Sequence, residues 1–467
     1  MTVAPAFTQP ATQSVDLLVD GGPRSAGSRT VQVPGDKSIT HRALLAALLP
    51  GAGPQLRIHG GNSGGAVRAL LRPLAVLGYA AQGDAETLTV RREQPVVRQA
   101  VRAHDRIDRW PSLPYLQTEG SSAAARLLVG LLAGIGTAAV VDGDDVLRHR
   151  PMDWLVDPLR TLGANIRYLA EPGRLPVAVQ SPVTRGGDVQ LRVGSAQARA
   201  AVLYAAVGAE VPATIRVPVF SRDHTERMLS SFGVVLDCSA HAVRYRGGRC
   251  VVPTDLTVPA DPSLAVYPIT AQLLAGAGTL RVPGVCLNPT RLGYLEVLRA
   301  AGADISYQDV RVSDLGEPVG TVVARGGLTA VQRIRVDDPT TLHALIDEVP
   351  LLVAVAATLP GTSWIGCAAE LRFKETDRLL TSAAMAAAFG ATVEVHPGGL
   401  RVIGGQQLAA GSVPSFEDHR LAMAAATLAS ALPGRTTIQG GACHRTSFPE
   451  FTAVLCSTGV TITEAGT

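Results

Sequence analysis

An anion-binding pattern stands at residues 34–42, which read PGDKSITHR. The proline and glycine follow a strand-like run, residues 30–33, and precede an apolar helical run, so we predict a strand, a tight turn and a helix start. The N–H groups and the dipole of a helix start favour an anion. Lys37, Ser38 and Arg42 add a charge, a hydroxyl and a planar guanidinium. The segment therefore predicts an anion site, although Ser38 alone is also explained as a helix N-cap.

Three charged segments in the second half of the chain have the residue types of acid–base catalysis. They are residues 346–350 (IDEVP), 370–378 (ELRFKETDR) and 417–420 (EDHR), and each lies beside an apolar run. Alternating charge of this kind also fits a solvated helix face held by salt bridges. Because core elements bracket these charges, we expect them at a cleft, where neighbouring charges tune pKa values.

The elements that must position these groups form an internal repeat. A helix-like apolar segment ends in a glycine, and a strand-like run follows, at six places: Gly78, Gly163, Gly233, Gly302, Gly390 and Gly459. Each glycine fits the position after a helix, where a positive φ is needed. Six α/β units of this size predict two domains of three units each.

Length and composition bound the class of protein. A chain of 467 residues predicts two or three domains, and 46% hydrophobic residues suffice for a large core. The net charge is only +3 and the basic residues are dispersed, which argues against nucleic acid as a partner. The six cysteines show no CxxC spacing, and the sequence has no apolar run typical of a membrane span. Residues 1–13 resemble a loose tail rather than a signal peptide, so we predict a cytoplasmic protein.

An ordered set of motifs resembles the 5-enolpyruvylshikimate-3-phosphate synthase family. Residues 34–42 resemble its first signature. Later segments match in order over roughly residues 30–460: 142–152 (DGDDVLRHRPM), 194–197 (GSAQ), 221–226 (SRDHTE), the three charged segments, and 447–449 (SFP). Kinship to the UDP-sugar enolpyruvyl transferases is weaker, since the first segment follows the shikimate pattern.

The resemblance implies the fold. It predicts an α/β protein built as a two-domain inside-out α/β barrel clamp, the enolpyruvyl transferase fold, from six βα repeat units. We place the first domain at residues 31–253. The second domain takes residues 254–461 together with the N-terminal strand, residues 14–30. A monomer is expected.

The resemblance also implies the substrate and the residues that bind it. The substrate is expected to be shikimate 3-phosphate or shikimate, with no cofactor and no metal. The implied binding residues are Ser38, Arg42, Ser195, Gln197, Ser221, His224, Arg378 and Arg420. The implied catalytic residues are Lys37, Asp347, Lys374, Glu375 and His419.

Departures from the family pattern concern the second substrate, phosphoenolpyruvate. Residues 120–123 read GSSA where the family has Asn-x-Gly-Thr, Val146 stands where we align an arginine, and Thr446 stands where we align a lysine. An acidic run is missing near residues 64–66, and Ala196 replaces a phosphate-binding serine. A hydrogen bond to a charged group contributes roughly 1.5–3 kcal/mol. Losing two cations would cost about 3–6 kcal/mol, or on the order of 10²–10⁴ in affinity.

Three functions remain open on the sequence. The predicted one is a diverged enzyme of secondary metabolism, a lyase that removes phosphate or water by 1,4-elimination and forms a cyclohexadiene carboxylate. The first alternative is a genuine 3-phosphoshikimate 1-carboxyvinyltransferase, although the use of phosphoenolpyruvate is doubtful on these departures. The second alternative is a non-catalytic binder of shikimate-type ligands, against which Lys37, Asp347, Glu375 and His419 argue.

Overall fold

The computed structural model describes residues 15–23, 26–84, 86–93 and 113–466. The predicted tail, residues 1–13, lies outside these ranges. The strands of the described residues are β1 Val15–Gly21, β2 Ser28–Thr30, β3 Gln55–His59, β4 Tyr79–Gly83, β5 Thr87–Arg92, β6 Tyr115–Gln117, β7 Ala139–Asp142, β8 Asn165–Tyr168, β9 Val177–Ser181, β10 Gly187–Gln190, β11 Ala213–Arg216, β12 Val235–Cys238, β13 Ala242–Gly247, β14 Asp255–Thr257, β15 Thr279–Cys286, β16 Asp304–Val312, β17 Pro318–Arg325, β18 Arg335–Val336, β19 Thr362–Ile365, β20 Thr392–His396, β21 Gly399–Ile403, β22 Ser412–Pro414, β23 Gly434–Gln439 and β24 Thr461–Gly466.

The helices of the same ranges are α1 Lys37–Ala46, α2 Gly65–Arg68, α3 Leu71–Val76, α4 Ser122–Ile135, α5 Asp145–Arg148, α6 Asp153–Thr161, α7 Ala196–Gly208, α8 His224–Ser231, α9 Pro262–Ala275, α10 Gly293–Ala300, α11 Pro339–Leu345, α12 Val349–Thr358, α13 Arg378–Ala388, α14 His419–Ala429 and α15 Phe451–Ser457. Short 3₁₀ turns lie at Pro289–Arg291, Ile346–Glu348, Ala369–Phe373 and Gly441–Thr446.

The described strands form six sheets of four strands each. Every sheet pairs an edge strand in parallel with a strand that follows a helix, as β6 pairs with β7 and β22 with β23. An antiparallel pair completes each sheet, as β9 and β8 do in the sheet of β6 and β7. Six sheets of one design confirm the predicted repeat. The six glycines predicted to follow helices all adopt a positive φ, from 86° at Gly78 to 113° at Gly302.

Two hydrophobic cores hold three sheets each, which gives the predicted two domains. Helices α1, α4 and α7 fill the first core, and helices α9, α12 and α14 fill the second. Gly130 of α4 shows how closely the helices approach, since a Cβ there would lie 2.2 Å from the backbone oxygen of Ala201 in α7. A glycine in mid-helix, normally unfavourable, is therefore explained by packing.

The chain crosses between the domains twice, and at each crossing an edge strand remains with the domain being left. β2 pairs with β15 in the second domain before α1 enters the first. β14 pairs with β3 in the first domain before α9 enters the second. The second crossing therefore follows Thr257, later than the predicted boundary at residue 253. The strand predicted at residues 30–33 also lies earlier. It spans Ser28–Thr30, where it pairs with Thr279–Arg281 of β15.

One helical stretch, Pro339–Thr358, has the length and a mean hydropathy of 1.5 that a membrane span needs. Of its most apolar window, 72% is buried inside the protein. Packing in the second core accounts for its composition.

Candidate active site

The starts of the six core helices are linked by side-chain contacts where the two domains meet, a region called the cleft below. Four of the six begin at predicted site residues: α1 at Lys37, α7 beside Ser195, α12 beside Asp347 and α14 at His419. Helix starts carry free N–H groups and a positive dipole end, so their convergence favours anions. Side chains cap five of them, among them Asp36 for α1, Asp261 for α9 and Asp418 for α14.

The first domain contributes hydroxyl, amide and guanidinium groups. Arg42 is buried, and its Nε donates to Oγ1 of Thr225 at 2.6 Å. Ser221 donates to the backbone oxygen of Gly194 at 2.6 Å, which places it beside the loop that leads to Ser195. The amide oxygen of Gln197 accepts from Nη1 of Arg126 at 2.7 Å. Arg126 is thus an additional cation beside the predicted binding residues. Burial, followed by the nearby Arg150, lowers its pKa to about 9.

Two ion pairs join the domains across the cleft. Nη2 of Arg222 lies 2.5 Å from Oδ2 of Asp347, and Nη2 of Arg150 lies 3.4 Å from Oε1 of Glu375. Burial would raise the pKa of Asp347, but Arg222 and Lys374 outweigh it and hold that pKa well below the usual range. Both predicted carboxylates therefore face cations from the opposite domain.

Arg378 joins the carboxylates of the second domain. Its guanidinium is 2.8 and 3.1 Å from the two oxygens of Asp418, 2.6 Å from Glu375 and 3.5 Å from Asp347. Buried charges are stable only when they are paired in this way. Three separate sequence segments thus meet at one side chain.

Half-buried Lys37 and buried His419 are bases near the same carboxylates. Burial, followed by the charge of Arg420, lowers the pKa of Lys37, while Asp347 and Glu375 act in the opposite direction. Burial lowers the pKa of His419 to about 3, so this imidazole is neutral near pH 7. A neutral imidazole and an amine of lowered pKa can both exchange protons with a substrate.

Lys374 and Arg420, the remaining predicted site residues of the second domain, lie close enough to this cluster to act on Asp347. Lys374 donates to Oε1 of Glu370 at 3.3 Å, although it also acts on the pKa of Asp347. Arg420 is buried and donates to the backbone oxygen of Ser263 at 3.1 Å.

His224 does not face the cleft as a binding residue, which corrects its predicted role. Its Nδ1 is 2.7 Å from Glu317, and its Nε2 is 3.0 Å from Nη1 of Arg291. Arg291 also donates to the carboxylates of Asp36 at 2.7 Å and Asp261 at 2.9 Å, so it links the N-cap residues of α1 and α9. His224 therefore belongs to a buried network at the domain crossings. Its polarity alone could not reveal which way the ring faces.

The same network holds the donor set most suited to a metal among the described residues, namely His224, Cys286 and Glu317 within 4.8 Å of one another. Arg291 donates to Nε2 of the imidazole, which places the ring proton on Nδ1, directed at Glu317. Burial raises the pKa of Cys286 well above its usual range, which keeps the thiol protonated. The set is therefore arranged as a hydrogen-bond network and does not fit a cation.

The structure places Val146 apart from the ion pairs of the cleft. The side chain of Val146 is 61% exposed on α5, whereas Arg150 after that helix reaches Glu375. Arg126, Arg150 and Arg222 were therefore missed as site residues. The sequence pointed to two of these arginines, because Arg150 and Arg222 lie inside the matched motifs 142–152 and 221–226.

The glycines that replace the expected acidic run have a packing reason. A Cβ at Gly64 would lie 2.8 Å from the backbone oxygen of Thr446 and 3.0 Å from Cα of Ser447, both in the other domain. Asn62 also donates to the backbone oxygen of Ser447 at 3.1 Å. The loop around residue 64 is therefore a contact surface between the two domains.

Known proteins match both the sequence and this architecture. The profile of the EPSP synthase (3-phosphoshikimate 1-carboxyvinyltransferase) family matches residues 23–455. The chain belongs to the EPSP synthase family. A 3-phosphoshikimate 1-carboxyvinyltransferase of Chloroflexus aurantiacus is 39% identical over 90% of this chain and 94% of its own length. One from a Synechococcus strain is 38% identical over 95% and 96%.

Solved structures share the fold. The EPSP synthase of Acinetobacter baumannii superimposes with a TM-score of 0.81 at 28% identity, covering 96% of this chain and 100% of that protein. The enolpyruvyl transferase NikO of Streptomyces tendae has a TM-score of 0.72 at 20% identity, covering 97% and 100%. The predicted family and the predicted enolpyruvyl transferase fold are both confirmed, and the chain is an enzyme of this family.

Proposed function

We propose that this enzyme transfers the carboxyvinyl group of phosphoenolpyruvate to the 5-hydroxyl of shikimate 3-phosphate. The observation that carries the proposal is the pair Arg150 and Arg378 on Glu375, beside Arg420. Arg42 and Gln197 bond other partners, Thr225 and Arg126, so these cations give the cleft further basic groups for a second anion. Relatives of 39% and 38% identity named for this activity support the same choice.

The chemistry requires one proton to leave the hydroxyl and one to be exchanged at carbon 3 of phosphoenolpyruvate. The hydroxyl oxygen bonds to carbon 2 while carbon 3 gains a proton. Carbon 3 then loses a proton as phosphate leaves carbon 2, which restores the double bond. We assign the hydroxyl proton to Asp347 and the exchange at carbon 3 to Lys37 and Glu375, with His419 as a neutral neighbour. Arg378 and Arg420 would stabilise the leaving phosphate.

Binding of the first substrate should also adjust Asp347. This carboxylate is a weak base while Arg222 is bonded to it, since that cation lowers its pKa. A substrate phosphate near Ser195 and Ser221 would attract Arg222, which adjoins Ser221 in the chain. Asp347 would then become more basic at the moment when its substrate is present.

The 1,4-elimination predicted from the sequence is kept as the second candidate because of the loop before α4. The resemblance implies an asparagine at position 120, but a Cβ at Gly120 would lie 3.0 Å from Oδ2 of Asp144. Gly120 itself carries no amide, so one contact to the second anion that the resemblance implies is missing.

The deciding experiment incubates the protein with shikimate 3-phosphate, with and without phosphoenolpyruvate, and follows both phosphate release and products. An enolpyruvyl ether that forms only with both substrates supports the proposal. Phosphate and a conjugated diene from shikimate 3-phosphate alone would establish the elimination instead. Binding of shikimate 3-phosphate without turnover would indicate the non-catalytic binder of shikimate-type ligands. That the protein is a cytoplasmic monomer, acts in secondary metabolism and has no membrane or nucleic acid partner stays a prediction.

A further inference from the structure

Glu348 is a buried carboxyl group that the proposed reaction does not use. It follows Asp347 in the 3₁₀ turn, and the residue is 2% exposed. Its Oε1 accepts no hydrogen bond from the residues that the structure describes. Burying a carboxylate oxygen without a donor is unfavourable, so its presence beside the cleft requires an explanation.

The cation nearest to this oxygen is Arg420. Nη1 of Arg420 lies 3.8 Å from Oε1 of Glu348, a distance at which charges attract without a hydrogen bond. The other side-chain contacts of Arg420 are the backbone oxygen of Ser263 at 3.1 Å and the hydroxyl of Tyr267 at 3.5 Å. Arg378, by contrast, is bonded closely to the carboxylates of Asp418 and Glu375. The charge that Arg420 presents to the cleft therefore depends on whether Glu348 is ionised.

We propose that Glu348 is a positioning residue that sets, by gaining or losing one proton, how strongly Arg420 attracts the anionic second substrate. This inference rests on the proposed function, because phosphoenolpyruvate is that anion. With Glu348 protonated, the full charge of Arg420 is available to the anion. With Glu348 ionised, the two side chains attract each other and the anion binds more weakly.

Among the ionisable groups around Glu348, we expect only Glu348 itself to change charge over the pH range of the test. Among the described residues, the charged and titratable groups that interact with it are Arg420, Asp347, Arg222, Arg291, Tyr267 and Tyr294. Burial raises the pKa of Glu348, with Arg420 acting against this and Asp347 adding to it. The pKa of Tyr267 is raised to about 12, that of Tyr294 is also raised, and that of Asp347 is well below its usual range. The arginines remain charged, so none of these neighbours changes charge where Glu348 does.

The test is a calorimetric titration of phosphoenolpyruvate into protein saturated with shikimate 3-phosphate, from about pH 5 to about pH 8. Wild type is compared with Glu348→Gln, which keeps the shape and removes the charge. At the upper pH we expect the variant to bind phosphoenolpyruvate about 10-fold more tightly, and the two affinities should approach each other as the pH is lowered. The phosphate of the ligand titrates in the same range but contributes equally to both proteins. The affinity for shikimate 3-phosphate, measured first, should be the same.

Two further variants separate this role from a structural one. Glu450→Gln is the matched control, since Oε2 of Glu450 is also buried without a partner while its other oxygen accepts from Ser63 at 2.7 Å. It should follow wild type at every pH. Glu348→Asp keeps the charge and should keep the pH dependence, which also covers a failure of Glu348→Gln to fold. Parallel pH profiles for wild type and Glu348→Gln would overturn this inference alone. Absence of phosphoenolpyruvate binding by wild type at every pH would overturn the proposed function and this inference with it.

Discussion

Nη2 of Arg222 lies 2.5 Å from Oδ2 of Asp347, and this bond joins the first domain to the second across the cleft. Each side chain is one-fifth exposed, so the pair is open to a competing anion. We therefore expect Asp347→Asn to lower kcat by about 100-fold or more, the usual effect of removing a general base. The dissociation constant for shikimate 3-phosphate should change less than about tenfold, because Arg222 loses its competitor.

Steady-state kinetics and calorimetry on the same preparations measure the two quantities. Asp20→Asn is the matched control, since Asp20 pairs with Arg435 at 2.7 Å on the surface. A loss of binding as large as the loss of turnover would show that Asp347 holds the substrate instead of accepting its proton.

The second prediction separates Arg150 from Val146. Arg150→Ala removes a cation that reaches Glu375, so phosphoenolpyruvate should bind about 10–100-fold more weakly, as expected for one hydrogen bond to a charged group. Val146→Arg adds a cation on an exposed part of α5 and should leave the affinity within about twofold. Titrations of both variants in the presence of shikimate 3-phosphate test this. A gain of affinity in Val146→Arg would show that position 146 reaches the bound anion, as the alignment with the family implies.

The third prediction concerns closure of the domains at Gly64. Gly64→Ala places a Cβ against the backbone of Thr446 and Ser447 in the other domain, so both KM values should rise and kcat should fall. The melting temperature should change little, because each core is left intact. Gly398→Ala is the control, since a Cβ there has no described atom within 4 Å. Unchanged kinetics in Gly64→Ala would mean that catalysis does not need this contact.

The fourth prediction concerns acid stability and His41. Burial lowers the pKa of this imidazole to about 4, from 6.5 in an exposed histidine. Between these values the unfolded chain binds a proton that the folded protein does not, so stability falls as the pH decreases from 6.5 toward 4. The loss from this residue between about pH 7 and about pH 5 is about 2 kcal/mol.

Chemical denaturation of wild type and His41→Gln at both pH values measures this contribution. The variant should lose about 2 kcal/mol less on acidification, even if it is less stable at each pH, because His41 also contacts the backbone oxygens of Lys37 and Ala66. His396→Gln, at an exposed histidine, is the control. Equal losses in all three proteins would show that other groups cause the acid sensitivity.

Local patterns in the sequence predicted the elements and most of the cleft. The turn at residues 34–42 and the charged segments before apolar runs mark helix starts, and the convergence of these starts follows from the repeated units. A local pattern cannot say which charges meet, because the partners are far apart in the chain. Arg222 and Asp347 are separated by 125 positions, and only the closed domains bring them together.

Neighbouring residues of one chemical type also needed the structure to tell them apart. Asp347 and Glu348 are adjacent carboxylates, yet one bonds a cation of the other domain and the other is buried beneath Arg420. Val146 and Arg150 are one helical turn apart and face different surroundings. The direction of a side chain depends on packing against distant segments, so the alignment of a motif could not settle these pairs.

Strand β1 is synthesised long before the two strands with which it pairs. It lies between β23 and β24, with Leu17 opposite Ile438 and Glu464, and the surface pair of Asp20 with Arg435 spans 415 positions. While the ribosome adds the residues in between, both edges of this strand and its apolar Leu17 and Val19 lack their partners, which is the condition under which nascent strands aggregate. Truncated products of translation therefore cannot bury this strand. The second domain can close this sheet only after both β23 and β24 have left the ribosome.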